Sequence, residues 1–347
     1  MDYNYGQRVI YIDLLKILAV FLVIVNHTNS SVFVSLQPSI TWFSSLVYFF
    51  VSKVAVPVFI MATGVLMLGN VSSYSKSYLR IKRILVVFII FSLFYYFYRN
   101  EVPDTLMGFL KIVKDLIQAP ATNALWYLYL YLALLLVMPY LQRLSSTFNK
   151  LDMAIFIALC LLLPSSIDII KNITGISFFN AFDLTLFCYP VGFLFSGYYI
   201  DKYIKCDRRG AFLSVLIFLV AVVFSVLITY FKYVENPQNP DLYLYWSNIY
   251  LPNIVIETLC VFYFVKYVSR FEIINNHASL LSAVSVCTFG IYLFSDFCIY
   301  ITLPFYNDLM KLNHPFLSNL LWQIFIFITC FILVYILRKN KMIMSYL

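Results

Sequence analysis

The chain has little charge. Asp, Glu, Lys and Arg make up 12% of its 347 residues, against the ~25% usual in a soluble globular domain. A soluble fold is therefore excluded. Its seven cysteines (Cys160, Cys188, Cys206, Cys260, Cys287, Cys298 and Cys330) are scattered singly with no CxxC pair, so neither a disulfide framework nor a thiolate metal site is expected. Three histidines, His27, His277 and His314, show no ligand spacing, so no metal is expected. No repeat and no low-complexity linker divides the sequence. The expectation is one domain over residues 1–347.

What fills the chain is apolar. Hydrophobic residues account for 63% and the mean hydropathy is +0.87. Runs of about 17–25 apolar residues, long enough to cross a bilayer, recur along the whole length. Ten spans are expected, near 10–29, 46–69, 84–99, 124–141, 152–171, 185–200, 211–231, 249–267, 284–303 and 319–337. The fold class is thus all-α, a polytopic membrane protein with about ten transmembrane helices in one bundle. The first span carries Asp13 and Lys16 and no small-residue cleavage site follows it, so it is read as a span and not a signal peptide. Pro57 removes a backbone donor within the second span and predicts a kink. Residues 104–118 alternate charge with apolar residues at helical spacing and predict an amphipathic helix on the membrane surface.

Of the 24 Lys and Arg, sixteen fall on one set of alternate loops and six on the other, with Lys16 and Lys53 inside spans. The positive-inside rule then places both termini in the cytoplasm. The net charge of +8 is mostly this topology signal. No basic face with interleaved aromatics lies outside the membrane, so nucleic acid is excluded as a partner.

Four groups of residues stand out. The first span presents Asp13, Lys16 and His27 along one stripe. Lys16 and His27 are eleven residues apart, which at ~100° per residue returns them to nearly the same face. Ionisable groups in hydrocarbon are costly and mark cavities or partners. His27 suits general acid–base work near neutral pH; the alternative is a histidine bonded within a polar helix end, beside Asn26, Thr28 and Asn29. Lys16 alternatively snorkels to the interface or pairs with Asp13. Arg80 and Arg83, at i and i+3, present two guanidinium forks suited to phosphate, although basic residues there also satisfy orientation alone. Trp126 and Tyr127, with Tyr129 and Tyr131, read either as an interfacial aromatic belt or as a stacking platform for a sugar ring. Glu257 is the deepest remaining acid, alongside Lys53, Asp168 and Asp296, and these groups alternatively neutralise one another across helices.

In order along the chain, these pieces resemble the acyltransferase family 3 integral membrane enzymes, which O-acylate surface polysaccharides and related glycans. IDLLKILAVFLVIVNH matches the family's opening frame, with Lys16 at the position of an Arg and His27 at that of the His. VPVFIMATG resembles its second-span element, with Thr63 and Gly64 for Ser-Gly, and YLRIKR resembles its basic element. LWYLYLYLALLLVMP, YPVGFLFSGYYI and FGIYLFS follow in the family's order, with Ser295 where many members have His.

The resemblance implies a multi-pass enzyme of the plasma membrane that moves an acetyl or other short acyl group. The donor would be cytoplasmic acyl-coenzyme A and the acceptor a hydroxyl of a cell-surface glycan or lipid-linked saccharide. It implies no bound cofactor, a catalytic His27 supported by Lys16 and Asp13, and a donor held by Arg80 and Arg83. Trp126, Tyr127 and Glu257 are the remaining substrate-binding candidates. The alternative is a transporter of a small polar solute or glycan on the same fold, a reading that the exchanges at Lys16 and Ser295 leave open. The oligomeric state stays open.

Overall fold

Where no water is available, a backbone satisfies its own N–H and C=O groups by winding into helices or closing a barrel. Long apolar runs with little strand-like alternation take the helical solution here. The computed structural model of the protein describes residues 9–34, 37–100, 105–175, 188–312 and 314–346. Sixteen α-helices follow one another: α1 (Ile10–Val34), α2 (Ile40–Lys53), α3 (Ala55–Met67), α4 (Tyr74–Arg99), α5 (Leu106–Gln118), α6 (Trp126–Thr147), α7 (Lys150–Thr174), α8 (Tyr189–Tyr203), α9 (Arg208–Glu235), α10 (Pro240–Tyr243), α11 (Pro252–Val268), α12 (Glu272–Asn276), α13 (Ala278–Ser285), α14 (Thr288–Leu312), α15 (Pro315–Leu337) and α16 (Lys341–Met344). No strand occurs among the described residues. The molecule is an all-α polytopic membrane protein.

Among the described residues nine helices, counting α2 with α3 as one, are long and apolar enough to span a membrane. The segment expected over 185–200 forms α8, whose 15 residues extend ~22 Å at 1.5 Å per residue. Residues 176–187, which include its expected start, lie outside the described residues. The Pro57 kink is a break at Val54, between α2 and α3. Proline at 57 has no N–H to bond the carbonyl one turn earlier, and the ladder resumes with Val58 N–H donating to Val54 O at 2.9 Å. The first helix extends five residues past the expected 29, to Val34. No breaker intervenes before Pro38, which disfavours helical geometry at the residue preceding it.

The chain divides into two compact units, each interrupted in sequence. The first, within Met1–Gly69 and Thr147–Thr288, holds α1–α3 and α7–α13. In a bilayer, burial of apolar side chains drives helix association weakly, so close backbone approach and polar contacts take over. The α3–α8 crossing shows the first of these. A Cβ added at Gly64 would stand 1.8 Å from Leu194 O, and one at Gly197 would stand 2.1 Å from Met61 O. No other residue type fits either position without separating the helices. Helix α9 shows the second device. Leu213, Leu216, Val220, Val223 and Leu227 are exposed at spacings of three and four, while Ala211, Ser214, Ala221, Ser225 and Thr229 are buried. Its small and polar face is turned to α11 and α2, and its large apolar face is free for lipid. Trp42, Leu46, Phe49 and Phe50 of α2 close a core with Val222, Val226 and Ile254.

The second unit, within Asn70–Ser146 and Phe289–Leu347, holds α4–α6 and most of α14, with α15 and α16. Here α5 exposes Met107, Leu110, Val113 and Ile117 along one face and buries Ile112 on the other. Within α14 the Tyr95 hydroxyl, reaching over from α4, donates to Leu293 O at 2.8 Å and accepts from Phe297 N at 3.1 Å. Those two backbone groups are the partners of one i→i+4 rung, so a side chain stands inside the ladder of α14.

Candidate functional site

In the first unit, α1 positions Asp13, Lys16 and His27. Asp13 is buried, and its Oδ1 accepts a hydrogen bond from Ser285 Oγ at 2.5 Å, because α13 packs along the start of α1. Lys16 and His27 are half-buried. Thr28 is buried and returns its hydroxyl to Ile24 O at 2.8 Å. His27 is not at the end of the helix but seven residues before it.

A second cluster lies where the start of α1 meets the ends of α8 and α11. The carbonyls at the end of α8 run short of helical donors, with Ile200 O alone still accepting from Ile204 N at 3.3 Å. Lys266 Nζ fills the gap, donating to Ile200 O at 2.7 Å, Asp201 O at 2.9 Å and Ile204 O at 3.3 Å. Its ion-pair partner Asp201 Oδ1 is at 3.7 Å, and Asp201 also accepts from the Tyr11 hydroxyl. A cation at a helix C-terminus is favoured by the dipole as well. Arg270 Nη1 donates to Cys206 O, in the connection between α8 and α9, at 2.6 Å. Burial pushes the Cys206 thiol up, with Lys266 and Arg270 opposing weakly. Cys206 is therefore a thiol and no ready nucleophile.

Toward the N-terminus of α11 the first unit gathers polar groups that lack obvious partners in the sequence. Asp168 accepts from the hydroxyls of Tyr245 at 2.8 Å and Tyr250 at 3.2 Å. Glu257 is fully buried, and its Oε1 accepts from Ser225 Oγ at 3.0 Å. Asn253 Nδ2 donates to Ser225 Oγ and to Trp246 O, both at 2.8 Å. Ser225 and Asn253 are the residues that sequence reasoning missed. Their signal is two polar pairs four apart on apolar helices, Ser225 with Thr229 and Asn253 with Glu257. Lys53 Nζ lies 4.1 Å from the centre of the Phe49 ring, one turn back on its own helix.

The second unit carries the other candidates. Arg80 Nη1 donates to Ser72 Oγ at 3.2 Å and Arg83 Nη2 to Tyr346 O at 3.3 Å, and both side chains are exposed. Tyr131 of α6 lies within electrostatic reach of both guanidinium groups. Tyr127 stacks on Tyr131 at 5.8 Å and meets Tyr292 edge-on at 5.7 Å. Trp126 is half-buried beside it. The turn before α6 is gripped from α14. Tyr292 donates to Ala124 O at 2.5 Å, and Asp296 Oδ2 accepts from the Thr122 hydroxyl and from Ala124 N at 3.3 Å. Asp296 is thus a positioning residue for the aromatic start of α6. Ser295 is buried and bonds back to Tyr292 O at 2.8 Å.

The eight candidates therefore divide. Asp13, Lys16, His27 and Glu257 belong to the first unit, where α1 packs on α11. Arg80, Arg83, Trp126 and Tyr127 belong to the second. Among the described residues no three His, Cys, Asp or Glu side chains group as metal ligands. A family model described as an acyltransferase domain matches residues 9–339. The chain belongs to the acyltransferase 3 family. No curated protein and no solved structure matches it. An acyltransferase 3 protein that spans the membrane many times is a membrane acyltransferase.

Proposed function

We propose that this acyltransferase 3 protein moves an acetyl or other short acyl group from cytoplasmic acyl-coenzyme A to a hydroxyl of a cell-surface glycan. It does so in the plasma membrane with both termini in the cytoplasm. The observation that carries this reading is the α1 stripe, in which Asp13 is anchored by Ser285 while Lys16 and His27 stay only half-buried. From Lys16 to His27 the helix rises ~16 Å, so one element links the donor side to the acceptor side. His27 takes the proton of the acceptor hydroxyl. The new C–O bond forms as the thioester C–S bond breaks, and His27 returns the proton to the departing thiolate.

Arg80 and Arg83 hold the donor phosphates. In support, their described partners are a hydroxyl and a backbone carbonyl, which leave both positive charges without an acid among the described residues. Trp126 and Tyr127 stack on the acceptor sugar. Lys16 and Asp13 hold charge on the donor path, and Glu257 contributes to substrate handling from α11.

The test is His27→Ala with labelled acetyl incorporated into surface glycan. A lost general base costs about 10²–10⁴-fold, so incorporation should fall by that factor in folded protein, and unchanged incorporation overturns the catalytic role. Acyl-coenzyme A should also raise the thermal stability of the purified protein by mass action. A transporter would ignore the thioester and respond to its solute.

A further inference from the structure

The cluster between α9 and α11 does not balance its hydrogen bonds. The Trp246 carbonyl accepts only, so the Asn253 amide that meets it at 2.8 Å must be the Nδ2 end. That fixes the orientation of the amide, and Asn253 Oδ1 is left buried with no donor. Glu257 Oε2 is likewise buried with no donor. Ser225 brings one hydroxyl proton, shared between Ala221 O at 2.8 Å and Glu257 Oε1 at 3.0 Å. Two adjacent acceptors on one face of α11 therefore lack a hydrogen between them.

The cations on the packed helices, Lys16 and His27 of α1 and Lys53 of α2 among them, form no ion pair with Glu257. Glu257 forms no ion pair among the described residues. On the helices packed against α11, Asp13 is held by Ser285, Asp168 by Tyr245 and Tyr250, and Asp201 by Lys266, while Lys53 lies over Phe49. On α11 itself the near titratable group is the thiol of Cys260. The face of α9 turned to α11 offers the hydroxyls of Ser225 and Thr229, both buried; the Thr229 hydroxyl is itself without a partner, and its one proton serves at most one of the two orphan acceptors. An unpaired carboxylate in this setting is the most costly state a side chain can adopt, and protonation removes the cost. The added O–H also answers the orphan count. A helical side chain leans toward the N-terminus of its helix, which from Glu257 is the direction of Asn253, one turn away.

We infer that Glu257 is a proton-binding site in the membrane interior, a neutral carboxylic acid held by Ser225 and Asn253. By rise along the antiparallel pair, with Tyr11 and Phe262 in contact at 6.0 Å, Glu257 stands ~8 Å beyond that contact, level with Lys16, and His27 ~24 Å beyond it.

The test is infrared difference spectroscopy of the purified full-length protein at neutral pH, against Glu257→Gln. The expected result is the carbonyl stretch of an un-ionised carboxylic acid that shifts in heavy water and is lost in the variant. A carboxylate signature in its place, whether from a bound cation or from open hydration, overturns the site. Glu257→Asp should move the band without abolishing it, which keeps the test decisive if the glutamine variant fails to fold; a band that does not move overturns the assignment.

Discussion

Helix α11 carries two buried polar groups nine residues apart, and they are provided for in opposite ways. Lys266 is surrounded by acceptors, two carbonyls of α8, that of Ile204 just past it and the carboxylate of Asp201, and every donor it owns is used. Glu257 has one hydroxyl on one oxygen and nothing on the other. The first arrangement is closed, and its removal exposes other buried groups. The second is open, and a small exchangeable species can enter or leave it without disturbing its neighbours. Both positions are buried; completeness of the hydrogen bonding separates scaffold from chemistry.

The contrast breaks most visibly at Lys266. Lys266→Met takes the donor from Asp201 O and Ile204 O and leaves the half-buried Asp201 carboxylate without its ion pair, so the thermal unfolding of the purified protein should reveal a loss of about 3–5 kcal/mol. Asp201→Asn is milder, because Lys266 keeps its three carbonyls and Tyr11 keeps an acceptor. It should cost about 1–3 kcal/mol in the same melts, and a loss equal to that of Lys266→Met would mean that the ion pair, not the helix cap, holds this end together. Glu257→Gln should change stability by less than about 1 kcal/mol, since an amide reproduces the shape and donor of a neutral acid. A destabilisation as large as that of Lys266→Met would erase the distinction between the two ends.

Much of this was legible in the residues. Apolar runs announce spans because hydrocarbon admits few alternatives, and Pro57 announces a break because it lacks an N–H. The stripe of Asp13, Lys16 and His27 follows from helical periodicity alone. The partners did not follow. Ser285 is 272 residues from Asp13, and Ser225 is 32 from Glu257, so only the packing of α13 on α1 and of α9 on α11 reveals them. Asp296 looked like a lone membrane acid, yet it holds the turn at Thr122 and Ala124, a role fixed by tertiary contact. The end of α1 was misplaced because Asn, Thr and Ser near residue 29 resemble a terminus, whereas in a helix such side chains bond back to the preceding turn, as Thr28 does.

The Tyr95 hydroxyl within α14 has a mechanical consequence. The hydroxyl braces α14 from α4 by holding the donor and the acceptor of the rung between Leu293 and Phe297. Tyr292 and Asp296 sit on that same stretch and hold the turn from which Trp126 and Tyr127 project. One tyrosine thereby steadies the stretch of α14 on which the aromatic start of α6 depends.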